Sequence, residues 1–472
     1  MKKNNLTSIK SKIPNMFFPE LVWKSFPEAK IYLVGGAVRD LILGRKEILD
    51  WDFVVTKAPI EKLIPVLERI GKVNLVGRHF GVIKFTPFDW RLKNYPIDIA
   101  LPRREKSKDF LGKRTSFVVD SDSDLPIEDD LSRRDFTINA MAFDLKEEKL
   151  IDLFGGLKDL AGGKIRSVRD PEERFAEDYS RIVRGIRFAC QLDFSIELKT
   201  KKAMMKMGKF LGNREAISEE IIASEFGKML VADSKQALAL LMNLKILEII
   251  FPELESKLES NFIFNGHEFS KAKMLDKFWK LLDKSEAKES YGVASVLYLS
   301  LAFIFIVAGL SRHGFKDAGQ IAGEFSKRHR ISSINYAEIS SEKLVWLVES
   351  ANWIILNKGK YRLADIERIF FSNFFPSRDL EILLSLLSKM GGPFSEITEA
   401  FGDIQELIKK MPINNDRLPK RLLDGHFLFD VLHVPEGAKI GFYLEKLREE
   451  QLSGRIKTKD EAINFLKLLI AA

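Results

Sequence analysis

The sequence predicts an α+β protein: a head with a mixed sheet and helices, followed by an all-α neck, body and tail. Short apolar runs of strand length mix with helix-spaced runs through about residue 165. Beyond about residue 235 helix follows helix, with no strand-rich section and no internal repeat. The length of 472 residues leaves room for about three domains with sizeable cores. The expected division is head 1–165, neck 166–235, body 236–340 and tail 341–472.

The head is organised around residues 31–56, IYLVGGAVRDLILGRKEILDWDFVVT. Ile31–Val34 reads as a buried strand, broken at Gly35–Gly36 by a turn that needs no side chains. Ala37–Leu43 has helical spacing, and Gly44 is placed to stop it. Asp50-Trp51-Asp52 then runs into Phe53–Val55, a second apolar strand, so Asp50 and Asp52 share a face and Trp51 points the other way. Two adjacent carboxylates repel, and such a pair is stable chiefly around a divalent cation. The Gly-Gly turn leads into a helix N-terminus, whose free N–H groups suit a phosphate. Either feature alone is ordinary surface chemistry. Together within one short unit they suit phosphoryl or nucleotidyl transfer.

Lys57–Ile70 is the next expected helix. Val73–Val76 and Val82–Phe85 read as strands around Gly77 and Gly81, and Pro96–Leu101 as another. Asp98 on that last strand is a third metal-facing acid if its strand lies beside that of Asp52; spacing alone allows a solvent-facing Asp equally well. From Arg103 to Leu131 the chain is polar, with six acids between Asp120 and Asp130, and reads as a solvated loop. Ser132–Asp144 reads as a helix capped by Asp130 or Ser132. Arg133 and Arg134 near its start would oppose the helix dipole unless an anion compensates. Asp135 and Asn139, four apart, would share a face and could bond ribose hydroxyls; a surface ion-paired helix is the plain alternative. Gly155–Leu160, GGLKDL, reads as a structural, mobile hinge.

Glu177–Cys190, EDYSRIVRGIRFAC, reads as an amphipathic helix with Tyr179, Ile182, Val183, Ile186 and Cys190 on one side. Asp178 and Arg181 are neighbours on its polar flank, and Glu177 lies in angle between Arg181 and Arg184. An ion-paired surface is the bland reading. The sharper one is base selection, because cytosine and adenine both offer an amino donor beside a ring-nitrogen acceptor, whereas guanine and uracil offer the reverse. A fixed carboxylate beside a fixed guanidinium accepts the first pair and rejects the second.

Several of these stretches together resemble the class II tRNA nucleotidyltransferases (CCA-adding enzymes) and the related bacterial poly(A) polymerases. Gly35, Gly36, Val38, Arg39, Asp40, Asp50 and Asp52 match motif A, Gly-Gly-x-Val-Arg-Asp followed by Asp-x-Asp. Arg134, Asp135 and Asn139 match motif B, Gly155–Leu160 resembles motif C, and Ile217–Leu230 motif E. Glu177, Asp178, Arg181 and Arg184 match motif D, Glu-Asp-x-x-Arg-x-x-Arg, with Tyr179 where a small residue or Pro is usual. The resemblance implies a polymerase-β-like catalytic head and two Mg²⁺ ions held by Asp50 and Asp52, with Asp98 assisting as ligand or base. It implies that Gly35, Gly36 and Arg134 handle phosphates, that Asp135 and Asn139 handle ribose, that Asp178 and Arg181 read the base, and that Arg39 and Arg184 also bind the nucleotide.

By the same resemblance, the substrates are CTP, ATP and the tRNA acceptor arm, and residues 103–131 hold a loop that helps the change from adding C to adding A. Gly437, Ile440, Gly441, Gly454, Ile456 and Thr458 match a C-terminal segment common in CCA-adding enzymes. Lys439, Lys446, Arg448, Arg455 and Lys457 could there neutralise RNA phosphates. The rivals are an enzyme adding only the terminal A, a poly(A) polymerase and a catalytically dead RNA-binding scaffold. LVGRHFGVIK, residues 75–84, partly resembles the poly(A) polymerases and departs at His79 and Gly81.

Composition agrees with this picture. A net charge of +8 favours a polyanionic partner. Cys190 is the sole cysteine, which excludes an internal disulfide and a cysteine zinc site and points to a reducing cytoplasm. The N-terminus lacks a continuous apolar core and is not a secretory signal. Val293–Leu310 carries no charge over 18 residues but is expected to be a buried helix rather than a membrane span. No protein partner is deducible.

Overall fold

The structure is a computed structural model. It describes residues 7–471 except 11, 15–17, 46–47, 49, 77–81, 90–96, 108–116, 214, 255–257, 259–260, 265–266, 285–291, 310–317, 330–339, 372–376, 415–416 and 436. His79 and Gly81 lie outside the described residues. The chain divides into two compact units, Met1–Pro252 and Glu253–Ala472.

The first unit is built on a seven-stranded sheet. Helical segments α1 (Thr7–Lys10) and α2 (Phe18–Ser25) precede β1 (Lys30–Val34); α3 (Gly36–Ile42) leads to β2 (Trp51–Thr56), and α4 (Ile60–Leu67) to β3 (Gly71–Val76), β4 (Val82–Pro87) and β5 (Ile97–Ala100). A hairpin of β6 (Arg103–Ser107) and β7 (Phe117–Ser121) comes next, then α5 (Ile127–Ser132), β8 (Ala142–Asp144) and β9 (Lys149–Ile151). The sheet order is β3-β4-β5-β2-β1-β8-β9. Only β2 and β5 run parallel within it; every other neighbouring pair is antiparallel. β1 and β2 are buried along almost their whole length, as their unbroken apolar runs require of central strands. Phe18 of α2 closes one face, its ring set edge-on to Phe53 at 5.1 Å and to Phe85 at 6.2 Å.

Two expectations about this region are corrected. The stretch from Arg103 to Leu131 is not simply a solvated loop, because its described ends pair as β6 and β7, Arg103 opposite Ser121 through Ser107 opposite Phe117. Ser132–Asp144 is not a helix: α5 ends at Ser132, a single 3₁₀ turn covers Thr137–Asn139, and β8 follows. Arg133 and Arg134 therefore sit at a helix C-terminus, where cations are favoured, and the conflict with the dipole disappears.

The first unit continues with α6 (Gly156–Ala161), β10 (Lys164–Ile165), α7 (Pro171–Glu177), α8 (Ser180–Leu192), β11 (Ser195–Ile196), α9 (Leu198–Met207), α10 (Glu219–Asn243) and α11 (Leu247–Ile250). The helix expected over Glu177–Cys190 starts later, at Ser180. Asp178 is extended (φ −150°, ψ 103°) and breaks the chain between α7 and α8, and its carboxylate accepts from the backbone N–H of Ser180 at 2.9 Å. Tyr179 is buried and stacks on Phe210 with ring centres 5.0 Å apart, which accounts for a large aromatic at this place. Gly185 lets α8 lie against the head, since a Cβ there would meet the Phe136 ring at 2.7 Å. The GGLKDL stretch is pinned: Asp159 accepts from Thr137 Oγ1 at 2.5 Å and from Arg166 Nε at 2.8 Å.

The second unit is helical apart from the hairpin Asn261–Phe264 with His267–Ser270 among its described residues. The uncharged run forms the helix Gly292–Ala308, buried from Tyr298 onward, with Phe303 stacked on Phe278 at 3.8 Å. No helix among the described residues is long and apolar enough to cross a membrane. A separate small core near the C-terminus gathers Leu423, Leu428, Val434, Leu447, Ile456, Ala462 and Leu466.

Candidate nucleotidyl-transfer site

The strand ends of the head bring acids and an arginine to one bare turn. Gly35 closes β1 with φ +73°, a conformation that L side chains rarely adopt. A Cβ built on it would lie 2.7 Å from Arg134 Nη1 and 3.7 Å from Asp52 Oδ2, so both side chains face this turn. Gly35→Ala is expected to push Arg134 out of place as well as strain the backbone. The measurable result is a loss of nucleotide affinity of tenfold or more, with a drop in melting temperature; unchanged nucleotide binding would remove Gly35 from the site.

β2 and β5 pair so that Asp52 stands directly beside Asp98, and Asp50 lies just before β2 in exposed chain. Burial pushes the Asp52 carboxyl above the ordinary carboxylate range, with Asp98 and Asp50 pushing the same way and Arg134 and Lys84 pulling it down. Lys84, which sequence reasoning passed over, holds Asp98: its Nζ lies 3.2 Å from both carboxylate oxygens. Among the described residues no three His, Cys, Asp or Glu side chains gather as ligands for a metal ion.

Arg134 is fixed from behind. Asp130 is fully buried and accepts from Arg133 Nη2 at 2.6 Å and Arg134 Nη2 at 2.9 Å. Burial alone would raise its carboxyl, but the two guanidiniums hold it below the usual range. A buried carboxylate needs such partners, and two arginines leave one of them with hydrogen-bonding capacity directed at Gly35. Asp130 was legible in the sequence only as a helix cap.

Asp135 and Asn139 do not share a face of a helix; they form a buried relay. Asp135 Oδ2 accepts from Arg184 Nε at 2.9 Å and Nη2 at 2.7 Å, while its Oδ1 accepts from the Phe136 N–H at 2.8 Å and from Asn139 Nδ2 at 3.3 Å. Arg39 Nη1 in turn donates to Asn139 Oδ1 at 2.8 Å, and Arg39 also grips its neighbour Asp40 with two bonds of 2.9 Å. Although burial would raise it, the Asp135 carboxyl is held well below the carboxylate range by Arg184 and these donors, and Arg184 is raised in return. Arg39, Arg184 and Arg187 surround the ring of Phe188 at 5.5, 5.6 and 4.0 Å. The helix after the Gly-Gly turn is thus tied by polar bonds to α8. Gly36 sits beside this chain, a Cβ there meeting Arg39 Nη2 at 3.4 Å.

Asp178 and Arg181 open α8. Arg181 is buried, its guanidinium bonded to Glu177 Oε2 at 2.7 Å, the Arg174 carbonyl at 2.9 Å and the Arg133 carbonyl at 3.1 Å. Glu177 is shared between Arg181 and Arg174 rather than Arg184. Asp178 is partly exposed beside it. In the tail, Arg448 is not a surface cation: it is buried and paired with Glu367, and Arg455 is paired with Glu450.

Residues 31–166 match the family model of the poly A polymerase head domain, and residues 193–258 that of a probable RNA and SrmB-binding site of polymerase A. The CCA-adding enzyme of Streptococcus pyogenes serotype M2 is 37% identical over 252 residues, covering 50% of this chain and 57% of that protein. That of Enterococcus faecalis is 40% identical over 206 residues, 43% of this chain and 46% of that protein. The chain spans about half the length of the curated relatives it matches. Among solved structures, the Bacillus stearothermophilus CCA-adding enzyme in complex with CTP superposes with a TM-score of 0.65 at 20% identity, over 100% of this chain and 98% of that one. The Thermotoga maritima CCA-adding enzyme complexed with tRNA gives 0.57 at 21% identity, over 100% and 96%. At such identities the likeness is one of fold, and it extends through both units. Over residues 31–166, then, the chain is similar to the poly A polymerase head domain.

Proposed function

We propose that this chain is a template-independent tRNA nucleotidyltransferase that adds C and A, from CTP and ATP, to tRNA 3′ ends. The observation that carries the proposal is the convergence of Asp52 and Arg134 on the bare Gly35 turn, with Asp98 beside Asp52. The 3′-hydroxyl oxygen of the RNA attacks the α-phosphorus, and the bond to the bridging oxygen breaks to release pyrophosphate. Arg134, anchored by Asp130, meets the triphosphate where Gly35 offers no side chain to obstruct it.

Asp50 and Asp52 fit a divalent cation, since neighbouring acids and burial already disfavour the charge on Asp52. Two Mg²⁺ ions held there would activate the hydroxyl and offset triphosphate charge. Asp178 and Arg181 read the base edge: Arg181 is held still by one carboxylate and two carbonyls, so its orientation costs nothing at binding. Asp135 and Asn139, with their oxygens engaged by arginines, act as positioning residues for α8. Residues 1–165 act as catalytic head, 166–235 as the neck that reads the base, 236–340 as body and 341–472 as the tail that holds the tRNA. Lys439, Lys446 and Lys457 remain the phosphate-facing cations of that tail. A reducing cytoplasm fits Cys190, whose thiol burial pushes up to about 12, leaving it protonated and inert.

Three tRNA transcripts, ending before CCA, after C and after CC, incubated with each nucleoside triphosphate separately, test the proposal. CTP should extend the first two, ATP the third, and GTP and UTP none. Extension of only the CC-ended transcript would make this an A-adding enzyme. Long A tails on unrelated RNA would make it a poly(A) polymerase, and no incorporation at all would leave an RNA-binding scaffold.

A further inference from the structure

Three sheet strands set three charges in one row. Lys84 on β4 is the register partner of Asp98 on β5, and Asp98 is the register partner of Asp52 on β2. On β4 the flanking Ile83 and Phe85 are buried, so the pleat fixes Lys84 on the opposite face. Its Nζ bridges both Asp98 oxygens at 3.2 Å, and the two side chains remain 56% and 34% exposed. A pair so open to water is weak, and a competing cation can displace it.

We infer that Lys84 is the resident counter-cation of this site: it competes with a divalent cation for Asp98 and leaves Asp50 and Asp52 as that cation's principal holders. The inference rests on the reading of these acids as a cation site. A lysine ammonium brings one positive charge and three donors, enough to neutralise one carboxylate, whereas a divalent ion offsets two and coordinates several oxygens at once. With Lys84 in place the three acids carry one positive charge between them before any metal arrives, which lessens their repulsion. The same charge opposes entry of the metal. The row therefore sets divalent affinity: weak while the protein is free of nucleotide, and raised by a triphosphate that brings its own oxygens to the ion. Lys84 is a positioning residue that acts through Asp98.

The test is Mn²⁺ binding to the whole nucleotide-free protein, read by calorimetry and by the resonance signal of free Mn²⁺. Lys84→Met should bind Mn²⁺ roughly tenfold tighter than wild type, the expected effect of removing one elementary charge about 6 Å from a divalent ion in watery surroundings. Lys84→Met combined with Asp98→Asn should fall back to the wild-type affinity, and Asp52→Asn should abolish binding in either background. Equal or weaker binding by Lys84→Met overturns the inference while Asp52-dependent binding upholds the site itself. Tight binding that persists in the double variant also overturns it, because Asp98 would then have no part. If no variant binds Mn²⁺ through Asp52, the cation site and the inference fall together. Melting temperature reports folding throughout, and Lys84→Met, at an exposed position, should hold the wild-type value.

Discussion

Asp52→Asn should reduce nucleotide incorporation at least a thousandfold and leave the protein as stable as before, or more so. The two halves of this expectation have one cause. In the folded chain Asp52 is disfavoured as a carboxylate by burial and by Asp98 and Asp50, so its charge is a burden on folding. The amide is nearly the same size, carries no charge, and ends the repulsion. Arg134 is not stranded by the change, because Asp130 already accepts from it at 2.9 Å. Catalysis is different. If Asp52 holds the cation that offsets charge at the reacting phosphate, its loss removes about 4 kcal/mol or more of transition-state stabilisation, at about 1.4 kcal/mol for each decade of rate. Single-turnover incorporation on CC-ended tRNA, alongside a thermal melt, measures both. Retained incorporation would move the chemistry away from this strand end. A large fall in melting temperature would mean that Asp52 is a structural acid and that the loss of activity says nothing about mechanism.

Most of the acid and glycine framework was legible because the chain is locally explicit there. Strand, Gly-Gly turn, helix and strand between residues 31 and 56 each follow from side chains within a few positions, and the observed elements fall within about a residue of the reading. Asp98 needed one more fact, the parallel pairing of β2 with β5, which no local pattern contains. Residues 132–144 were misread for the opposite reason. A four-residue spacing from Asp135 to Asn139 is equally satisfied by a turn of helix and by an extended residue followed by a 3₁₀ turn. What decides is tertiary: the carbonyls of Arg133 and Arg134 are claimed by Arg174 from α7, and Asp135 by Arg184 from α8. Likewise the break at Asp178 puts its carboxylate over the Ser180 N–H, a local bond that competes with continued helix. Lys84 escaped notice because one lysine on an alternating strand is the commonest surface pattern. Its meaning lies in the register with Asp98.

Asp135→Ala should destabilise the first unit by about 2–3 kcal/mol, at or below the lower limit for breaking a fully buried pair, because Arg184 keeps 39% of its side chain exposed and water can partly screen it once stranded. For a unit of this size that corresponds to a fall in melting temperature of about 5–10 °C. Asp135→Asn should cost less, since the amide oxygen still accepts from Arg184, though without the charge. Acid sensitivity gives an independent reading. The Asp135 carboxyl is depressed in the folded chain, so its contribution is complete above the ordinary carboxylate pKa, near 4, and is lost as pH falls below it. Wild type should therefore lose stability steeply below about pH 4. Asp135→Asn should show a shallower slope there, not a flat one, because Asp130 and Glu225 are depressed in the same sense. Equal slopes in the two proteins would show that Arg184 gains little from Asp135. The functional consequence follows from the relay. Arg39 reaches Asn139, Asn139 reaches Asp135, and Asp135 holds Arg184 on α8, so cutting the middle frees α8, proposed above to carry the base-reading pair, from the Gly-Gly turn proposed to meet the triphosphate. Incorporation by Asp135→Asn should then lose discrimination, GTP and UTP gaining relative to CTP and ATP, even under conditions where the protein is fully folded. A variant that loses rate equally with all four nucleotides would assign Asp135 to nucleotide binding in general and not to holding α8 in register.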